Sequence, residues 1–239
     1  SYEKYLKAKL SIAKALEEST KKNKVIIVNT DDAEATKFLD INIQNKITYS
    51  LKDAANINLE NNVVNFTYKS TEIRSELPGK FNIYNMLAAI KYAESEGVSL
   101  QTIRKALENL KVIRGRAEGI NIGPKQDFKV IVDYAHTPDS LIAIYEAFPN
   151  GQRIAVLGSC GGGRDKWKRK EMMEIAEKYC EKIILTDEDP YEDNPREIVD
   201  DLVRYLKNKK PEIIMDRREA IAKAIKYAKS GDAVIITGK

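Results

Sequence analysis

The chain has 239 residues, of which 43% are hydrophobic, and a formal net charge of +4 that comes from 40 basic and 36 acidic residues. This length and composition allow one or two buried cores, and the interspersed charge argues against a nucleic-acid-binding protein. There is no apolar run of roughly 18 residues, no signal-peptide core, and no metal-ligand or disulfide spacing of the two cysteines, so we expect a soluble cytoplasmic protein without structural zinc and without a membrane partner.

The first 110 residues carry patterns for both helices and strands. Apolar residues at helical spacing predict an amphipathic helix over residues 2–18, and the apolar run at 24–29 predicts a buried strand that ends in a polar turn. Short alternating stretches within residues 40–75 are typical of an antiparallel edge of a sheet. Residues 81–95 and 100–110 then predict two further helices.

Beyond residue 110 the pattern becomes a regular alternation of strands and helices. Apolar strands are predicted at residues 128–133, 152–157, 182–186, 212–215 and 233–237, with amphipathic helices between them. Strands separated by helices indicate right-handed crossovers and an α/β fold with a mainly parallel, doubly wound sheet. Because ligands of such sheets bind at the carboxyl ends of the strands, the loops that follow the strands are the candidate site.

The loop after the first of these strands begins with Asp133 and contains His136, the chain's only histidine. A carboxylate at a strand end suits ribose hydroxyls, and a phosphate could lie beside the imidazole three residues later. Pro138 fits the first turn of a helix. The other interpretation is that Asp133 and His136 only cap that helix, and this segment alone leaves the two equally weighted.

The loop after the second strand, residues 158–169, is rich in glycine and basic side chains. Glycines let backbone amides approach an anion, and the positive end of a helix that starts near Lys166 adds to this, so the loop predicts a carboxylate or phosphate site. It has neither the dinucleotide fingerprint nor the Walker A spacing. Its basic residues are Arg164, Lys166, Lys168 and Arg169.

The loop after the third strand, residues 186–196, is acidic. Glu188 and Asp189 could hold the ammonium group of an amino-acid substrate. Taken alone, a solvated acidic turn that caps a helix from Pro195 is nearly as good an interpretation.

Together and in this order, several segments resemble the Mur ligases of bacterial cell-wall synthesis, in particular the UDP-N-acetylmuramoyl-tripeptide synthetases of the MurE type. The segments are residues 77–89, 114–118, 133–139, 158–169, 186–190 and 237–239, the last reading Thr237-Gly238-Lys239. The resemblance implies that residues 1–110 are the second half of the family's central α/β ATPase domain. Residues 111–239 would be its C-terminal Rossmann-like, amino-acid-binding domain.

Both ends of the chain look cut, because a helical pattern begins at once without an initiating Met and the chain stops directly after a strand. The family's P-loop would precede Ser1. We therefore expect a fragment that has no turnover by itself.

The resemblance also implies roles for single residues. Lys9 corresponds to the family's lysine that is carbamylated to give an extra carboxylate for Mg²⁺, whereas its sequence context alone indicates only a solvated helix residue. Asn85 corresponds to a residue near the adenine, and otherwise reads as a polar residue on a helix surface. Arg116 and His136 correspond to groups near the ATP phosphates, and Asp133 corresponds to the ribose ligand.

Further correspondences concern the acceptor amino acid. Arg164 and Lys166 match the loop that holds the amino acid and the phosphorylated intermediate, and Gly238 matches the start of a G-K-G-H-E stretch. Lys9, His136 and Lys166 are the implied catalytic residues.

Members that add diaminopimelate carry D-N-P-R directly after the third strand. Asp193-Asn194-Pro195-Arg196 spells these letters, but the spacing from Arg164 puts the motif in register with Glu188-Asp189-Pro190-Tyr191, five residues earlier. We therefore expect Asp193 to Arg196 to form the start of the next helix. With Tyr191 in place of an arginine that would pair a second carboxylate, the acidic pair favours a side-chain ammonium such as that of L-lysine.

The implied reaction uses ATP and Mg²⁺ to convert the carboxylate of UDP-MurNAc-dipeptide to an acyl phosphate, which the amino group of lysine or meso-diaminopimelate attacks. We expect a monomer that acts on small molecules. Two alternatives stay open: a related amide ligase of the cyanophycin or folylpolyglutamate synthetase type, and a non-catalytic Rossmann-like binding module. Folylpolyglutamate synthetases typically show D-G-A-H-N-P where this chain has Asp133 to Pro138.

Overall fold

The computed structural model describes residues 2–60 and 63–238, so Lys239, which belongs to the last family segment, lies outside the described residues. The chain divides into two compact units, Ser1–Lys111 and Val112–Lys239. Among the described helices, none combines the length and the apolar character needed to cross a membrane.

The first unit contains helices and strands in roughly equal number. Its helices are α1 (Tyr2–Glu18), α2 (Ala35–Leu39), α3 (Lys80–Ser95) and α4 (Leu100–Asn109). Its strands are β1 (Val25–Asn29), β2 (Asn45–Tyr49), β3 (Ala55–Glu60), β4 (Val63–Tyr68) and β5 (Thr71–Ser75). The helices predicted at residues 2–18, 81–95 and 100–110 and the strand predicted at 24–29 are therefore confirmed to within one residue.

The antiparallel pairing predicted within residues 40–75 is confirmed for β3, β4 and β5 and is wrong for β2. β2 pairs in parallel with β1, with Ile27 opposite Ile47, while β3, β4 and β5 form a separate antiparallel sheet of three strands. Phe66 and Tyr68 of β4 are buried on the same face and belong to a core cluster that includes residues of α3. Alternation reports that one face of a strand is buried, but it does not specify which strand is the partner.

The second unit is built on one six-stranded sheet. Its helices are α5 (Pro138–Glu146), α6 (Lys168–Tyr179), α7 (Pro195–Val203) and α8 (Arg217–Tyr227). Its strands are β6 (Glu118–Gly119), β7 (Lys129–Asp133), β8 (Arg153–Leu157), β9 (Lys182–Leu185), β10 (Glu212–Ile213) and β11 (Ala233–Thr237). The order in the sheet is β10-β9-β8-β11-β7-β6, and every neighbouring pair except β6 and β7 is parallel. The predicted mainly parallel α/β fold is confirmed.

Strand β11 is buried along its whole length and β8 is buried beyond its first residue, which explains why their sequences contain continuous apolar runs. Val156 and Val234 pack with Ala220 and Ala224 of α8 in one core cluster. Helices α5, α6 and α7 pack side by side in sequence order. Two small differences from prediction are that β10 has only two residues and that α6 begins at Lys168 rather than near Lys166.

The strand registers place the ends of four strands at one level. Thr237 of β11 lies opposite Asp133 of β7, and the preceding residue of β11 lies opposite Val156 of β8. Leu157 of β8 in turn lies opposite Leu185 of β9. The loops that follow β7, β8, β9 and β11 therefore meet at the same edge of the sheet.

Candidate functional site

Asp133 ends β7 with both carboxylate oxygens bonded to the backbone. The N–H of Ala117 donates to Oδ2 and the N–H of Ala135 donates to Oδ1, each at 2.7 Å, and all three residues are buried. Ala117 has a φ of +47°, a conformation that is uncommon for a non-glycine residue. The carboxylate of Asp133 thus holds a strained turn beside the strand end.

Helix α5 is capped by neither Asp133 nor His136. Thr137 is its N-cap, with its side chain accepting from the N–H of Ser140 and the Ser140 side chain accepting from the N–H of Thr137. Pro138 occupies the first helical position, as expected. The interpretation of Asp133 and His136 as simple helix caps is therefore wrong.

Arg116, Tyr134 and His136 form a stacked cluster beside Asp133. The guanidinium carbon of Arg116 lies 4.5 Å from the centroid of the Tyr134 ring, and that ring meets the His136 ring edge to face with 4.8 Å between centroids. The Nδ1 of His136 lies 2.9 Å from the carbonyl oxygen of Tyr134. A carbonyl only accepts, so Nδ1 carries the proton and Nε2 is left for another partner. Lys168 donates to the carbonyl oxygen of His136 at 2.9 Å, which ties α6 to this loop.

The glycine-rich loop at residues 158–169 packs tightly on the acidic loop. A Cβ atom at Gly161 would overlap the carbonyl of Pro190, and one at Gly162 would come within 2.8 Å of the Tyr191 ring. Gly162 also has a φ of +62°. At these positions glycine is needed for the close approach of two loops, in addition to any approach of an anion.

Arg169 has a structural role. Its side chain is buried, and it donates to Asp201 at 3.1 Å, to the hydroxyl of Ser159 at 3.2 Å and to the carbonyl of Cys160 at 3.1 Å. Because its donors are used inside the fold, Arg169 anchors α6 to the start of the glycine-rich loop.

Arg164 and Lys166, the two basic residues predicted to hold substrate, are exposed. A hydrogen bond with the hydroxyl of Tyr191 raises the pKa of the Arg164 guanidinium, which places Arg164 against the acidic loop. Both side chains are therefore open to solvent, and Arg164 lies beside Tyr191.

Glu188 is buried, with only 7% of its surface exposed. Burial raises the pKa of its carboxyl, while a hydrogen bond from the Cys160 thiol at 3.3 Å and the positive charges of Arg217 and Lys168 oppose that rise. Gly238 has a φ of +99°, and a Cβ atom there would overlap the Glu188 carboxylate. The interpretation of this loop as a solvated turn is therefore wrong for Glu188.

Two of the three residues after Glu188 adopt a strained backbone. Asp189 and Tyr191 have φ values of +38° and +52° on either side of Pro190. Two backbone bonds hold the turn: the N–H of Gly161 donates to the carbonyl of Asp189 at 3.1 Å, and the N–H of Asp193 donates to the carbonyl of Pro190 at 3.0 Å. Such strain persists only where neighbouring structure enforces it, and it is frequent in ligand loops.

The letters D-N-P-R at Asp193 to Arg196 start a helix, as predicted. Asn194 is the N-cap of α7, its side chain accepting from the N–H of Arg196, and Pro195 is the first helical residue. Arg196 itself forms an exposed ion pair with Asp200. Asn194 to Arg196 therefore form the helix start, while Asp193 remains bonded to the turn that follows Glu188.

In the first unit, Lys9 is exposed on α1. Its Nζ lies 5.4 Å from the centroid of the Tyr5 ring, and it lines a cavity of about 670 Å³ whose wall also includes Asp32 and Glu34. Among the described residues, no group of three or more His, Cys, Asp or Glu side chains is placed to hold a metal ion.

Asn85 lies on α3 and is exposed. Its Nδ2 donates to the Oδ1 of Asn82 at 3.1 Å, and the Nδ2 of Asn82 donates to the carbonyl of Pro78 at 2.7 Å. This chain orients the amide of Asn85 and leaves its oxygen available.

Arg217, which the sequence reading missed, also lies at this edge of the second unit. It donates to the carbonyl of Thr237 at 2.7 Å and to that of Asp187 at 3.5 Å. The sequence contains one indication of such a contact, because Arg217 stands in the first turn of α8, where the helix dipole disfavours a cation.

Two family models match the chain: the Mur ligase middle domain matches residues 1–93, and the Mur ligase, glutamate ligase domain matches residues 115–239. The UDP-N-acetylmuramoyl-L-alanyl-D-glutamate–2,6-diaminopimelate ligase 1 of Clostridium acetobutylicum is 34% identical, over 100% of this chain and 50% of that protein.

Solved structures of ligases are also similar to this chain. A structure of UDP-N-acetylmuramoyl-L-alanyl-D-glutamate–2,6-diaminopimelate ligase is 32% identical with a TM-score of 0.56, over 90% of this chain and 47% of that one. The MurF ligase of Thermotoga maritima in complex with ADP is 18% identical with a TM-score of 0.67, over 92% and 51%. The second likeness shows the fold alone. The chain spans about half the length of the curated relatives it matches.

Proposed function

Because this chain belongs to the Mur ligase family, we propose that it supplies the acceptor-binding part of an ATP-dependent, ADP-forming amide ligase. The proposed reaction adds lysine or meso-diaminopimelate as the third amino acid to UDP-MurNAc-L-Ala-D-Glu in peptidoglycan precursor synthesis. The observation that carries the proposal is the meeting of two loops at one sheet edge. Thr237 lies opposite Asp133, and the next residue, Gly238, packs on the buried Glu188.

The residues around Asp133 suit a nucleotide. A carboxylate has about four acceptor positions, and Asp133 uses two of them for backbone amides, so it can still accept from ribose hydroxyls. The guanidinium of Arg116 flanks the same strand end and offers donors to phosphate oxygens, and His136 would add a donor at Nε2 only in its imidazolium form, because its neutral ring already has the proton on Nδ1. Their ordered stacking on Tyr134 means that little reorganisation is needed when a nucleotide binds.

Within the first unit, we propose Asn85 as a nucleotide contact and Lys9 as a metal ligand. Asn85 presents an oriented side-chain amide, which suits the hydrogen-bonding edge of adenine. Lys9 shares its cavity wall with Asp32 and Glu34, whose carboxylate oxygens are ligands of the kind that Mg²⁺ prefers. Carbamylation of Lys9 would add a carboxylate at this wall, and bound Mg²⁺ would offset charge on phosphate oxygens. Intact mass of the protein under native conditions tests this assignment, which an unmodified lysine in the active enzyme would contradict.

The acidic loop suits an amino acid with a second ammonium group. Glu188 and Asp189 provide carboxylates, and the absence of a side chain at Gly238 lets the backbone after β11 pack against the Glu188 carboxylate. Pro190 and Tyr191 form the wall of this loop, and Arg164 bonds to Tyr191. A substrate ammonium beside Glu188 would offset the desolvation penalty of the buried Glu188 carboxylate.

Arg164 and Lys166 suit the other reactant. Both are exposed cations, and they lie in a glycine-rich loop next to the acidic loop. We propose that they hold the acyl phosphate formed from the UDP-MurNAc-dipeptide carboxylate and ATP, with release of ADP, while the acceptor amine attacks its carbonyl carbon. The bond from that carbon to the phosphate oxygen then breaks, and inorganic phosphate leaves as the amine loses a proton. Positioning and charge stabilisation of this kind supply most of the rate enhancement in such reactions.

The experiment measures phosphate release by the enzyme that carries this chain, with ATP, Mg²⁺ and UDP-MurNAc-dipeptide. Candidate acceptors are lysine, meso-diaminopimelate, ornithine, glutamate and alanine. We expect release only with a diamino acid: the name of the Clostridium relative favours diaminopimelate, and Tyr191 in place of arginine favours lysine. Release with glutamate alone would support the folylpolyglutamate type of ligase instead. Binding of ADP without release for any acceptor would support the non-catalytic module and overturn the proposal.

A matched pair of variants locates the acceptor site. Glu188→Gln removes the buried carboxylate, whereas Glu192→Gln removes an exposed one from the same loop. We expect only the first to raise the KM for the amino acid. We also propose that the enzyme acts as a monomer, which light scattering can test.

A further inference from the structure

Arg217 bridges the ends of two strands that are not neighbours. Its Nη2 donates to the carbonyl of Thr237 at the end of β11 at 2.7 Å, and its Nη1 points to the carbonyl of Asp187 after β9 at 3.5 Å. In the sheet order, β8 lies between β9 and β11. The half-buried side chain therefore spans the edge of the sheet from one side of β8 to the other.

The position of Arg217 is unfavourable by local criteria. It stands in the first turn of α8, where the positive end of the helix dipole repels a cation, and it is partly removed from solvent. Both carbonyls that it contacts directly precede residues of the proposed acceptor site, because Asp187 precedes Glu188 and Thr237 precedes Gly238. One side chain therefore holds the backbone beside both Glu188 and Gly238.

Arg217 also acts on the charge of Glu188. The ionisable groups that face this carboxyl are the thiol of Cys160 from the glycine-rich loop, Lys168 from α6 and Arg217 from α8. The ammonium of Lys168 already donates to the carbonyl of His136. Arg217 is the stronger of the two cations that lower the pKa of Glu188 against the effect of burial.

On the basis of the proposed function, we propose that Arg217 is a positioning residue for the acceptor amino acid. It fixes the backbone at Asp187 and Thr237 and so aims an ionised Glu188 at the side-chain ammonium of a diamino acid. The two contributions are separable: the bridge depends on the forked guanidinium, and the ionisation of Glu188 depends on the positive charge.

The experiment compares three variants of the enzyme that carries this chain. Arg217→Met removes both the bridge and the charge, and Arg217→Lys keeps only the charge. Arg218→Met is the matched control, because Arg218 is the next residue of α8 and is exposed. For each variant, phosphate release gives the KM for the diamino acid, the KM for ATP and the pH profile of kcat/KM for the diamino acid, and circular dichroism reports folding.

We expect Arg217→Met to raise the KM for the diamino acid at least tenfold and to leave the KM for ATP within about twofold. The acidic limb of the pH profile of this variant should move to higher pH. The reason is that the loss of a cation raises the pKa of Glu188 further, so less of the carboxyl is ionised at a given pH. Arg217→Lys should raise the KM but keep the acidic limb of the wild type. Arg218→Met should match the wild type in all readouts.

A merely structural role predicts equal losses for both substrates and no movement of the acidic limb, and either result would overturn the inference. If Arg217→Met does not fold, Arg217→Lys decides alone: a KM for the diamino acid equal to that of the wild type contradicts the bridge. A wild-type enzyme that releases no phosphate with any acceptor refutes the proposed function itself, which is a different outcome from an active enzyme that is insensitive at Arg217.

Discussion

The carboxylate of Asp133 is expected to stabilise the turn that carries Arg116 as well as to bind the nucleotide. Asp133→Asn replaces one acceptor oxygen with an amide group that only donates, so one of the buried N–H groups of Ala117 and Ala135 loses its partner. Leaving a buried amide unpaired costs about 1–3 kcal/mol, and the remaining bond loses its charge for about 1 kcal/mol more. We therefore expect a loss of about 2–4 kcal/mol, which a domain with a stability of roughly 5–15 kcal/mol survives.

Urea denaturation followed by circular dichroism gives the loss of stability, and hydrogen exchange at the amides of Ala117 and Ala135 shows whether the turn is released. Asp139→Asn is the matched control, because Asp139 is exposed in the first turn of α5 and its charge contributes about 0.5 kcal/mol there. Calorimetry should show ADP affinity lowered at least tenfold in Asp133→Asn only. Equal stability, amide exchange and ADP affinity in the two variants would refute the reasoning.

Three further predictions concern other parts of the second unit. Glu188→Gln should stabilise the fold at neutral pH, because burial raises the folded-state pKa of Glu188 above its ordinary 4.5 and ionising the buried carboxyl costs stability. The gain in stability should disappear below pH 4.5. A gain in urea denaturation that does not depend on pH would contradict this prediction. Tyr134→Ala should weaken ADP binding about tenfold by calorimetry, whereas Tyr134→Phe keeps the ring stack and should change it less than twofold. Arg169→Met should lower the free energy of unfolding by about 3 kcal/mol in urea denaturation, because it leaves the partners of Arg169 unpaired. Lys170→Met, at an exposed position, should change it by about zero. Similar losses in the two variants would contradict a structural ion pair at Arg169.

The parallel sheet of the second unit was predictable because its signal is local. Strands such as Arg153–Leu157 and Ala233–Thr237 are buried on both faces, so they appear as uninterrupted apolar runs between amphipathic helices. In the first unit, Asn45–Tyr49 has a mixed burial pattern that fits either type of sheet, and its parallel pairing depends on a contact with Val25–Asn29. Helix Ala35–Leu39 is too short to show a helical period.

The residues that form the strand-end loops were also predictable from the sequence. Which of them are buried and structural, and which are exposed, was not. Arg164 and Arg169 look alike in sequence, yet one is exposed and the other is buried against Asp201. Likewise, the acidic letters around Glu188 give no sign that this carboxylate is buried while Glu192 is exposed. Such differences depend on which loop packs over which, and the close contacts at glycines become visible only in the fold.

Arg217 shows how a local conflict can indicate a distant contact. A cation in the first turn of a helix opposes the helix dipole, so a sequence that keeps one there gains a compensating interaction elsewhere. Here the compensation comes from carbonyls at the ends of two strands and from the buried carboxylate between them. Because these partners lie on both sides of β8, the interaction that offsets the cost of the arginine also ties together the strand ends on either side of Glu188. The unfavourable position of Arg217 in its helix and the geometry of the loops around Glu188 then have one physical cause.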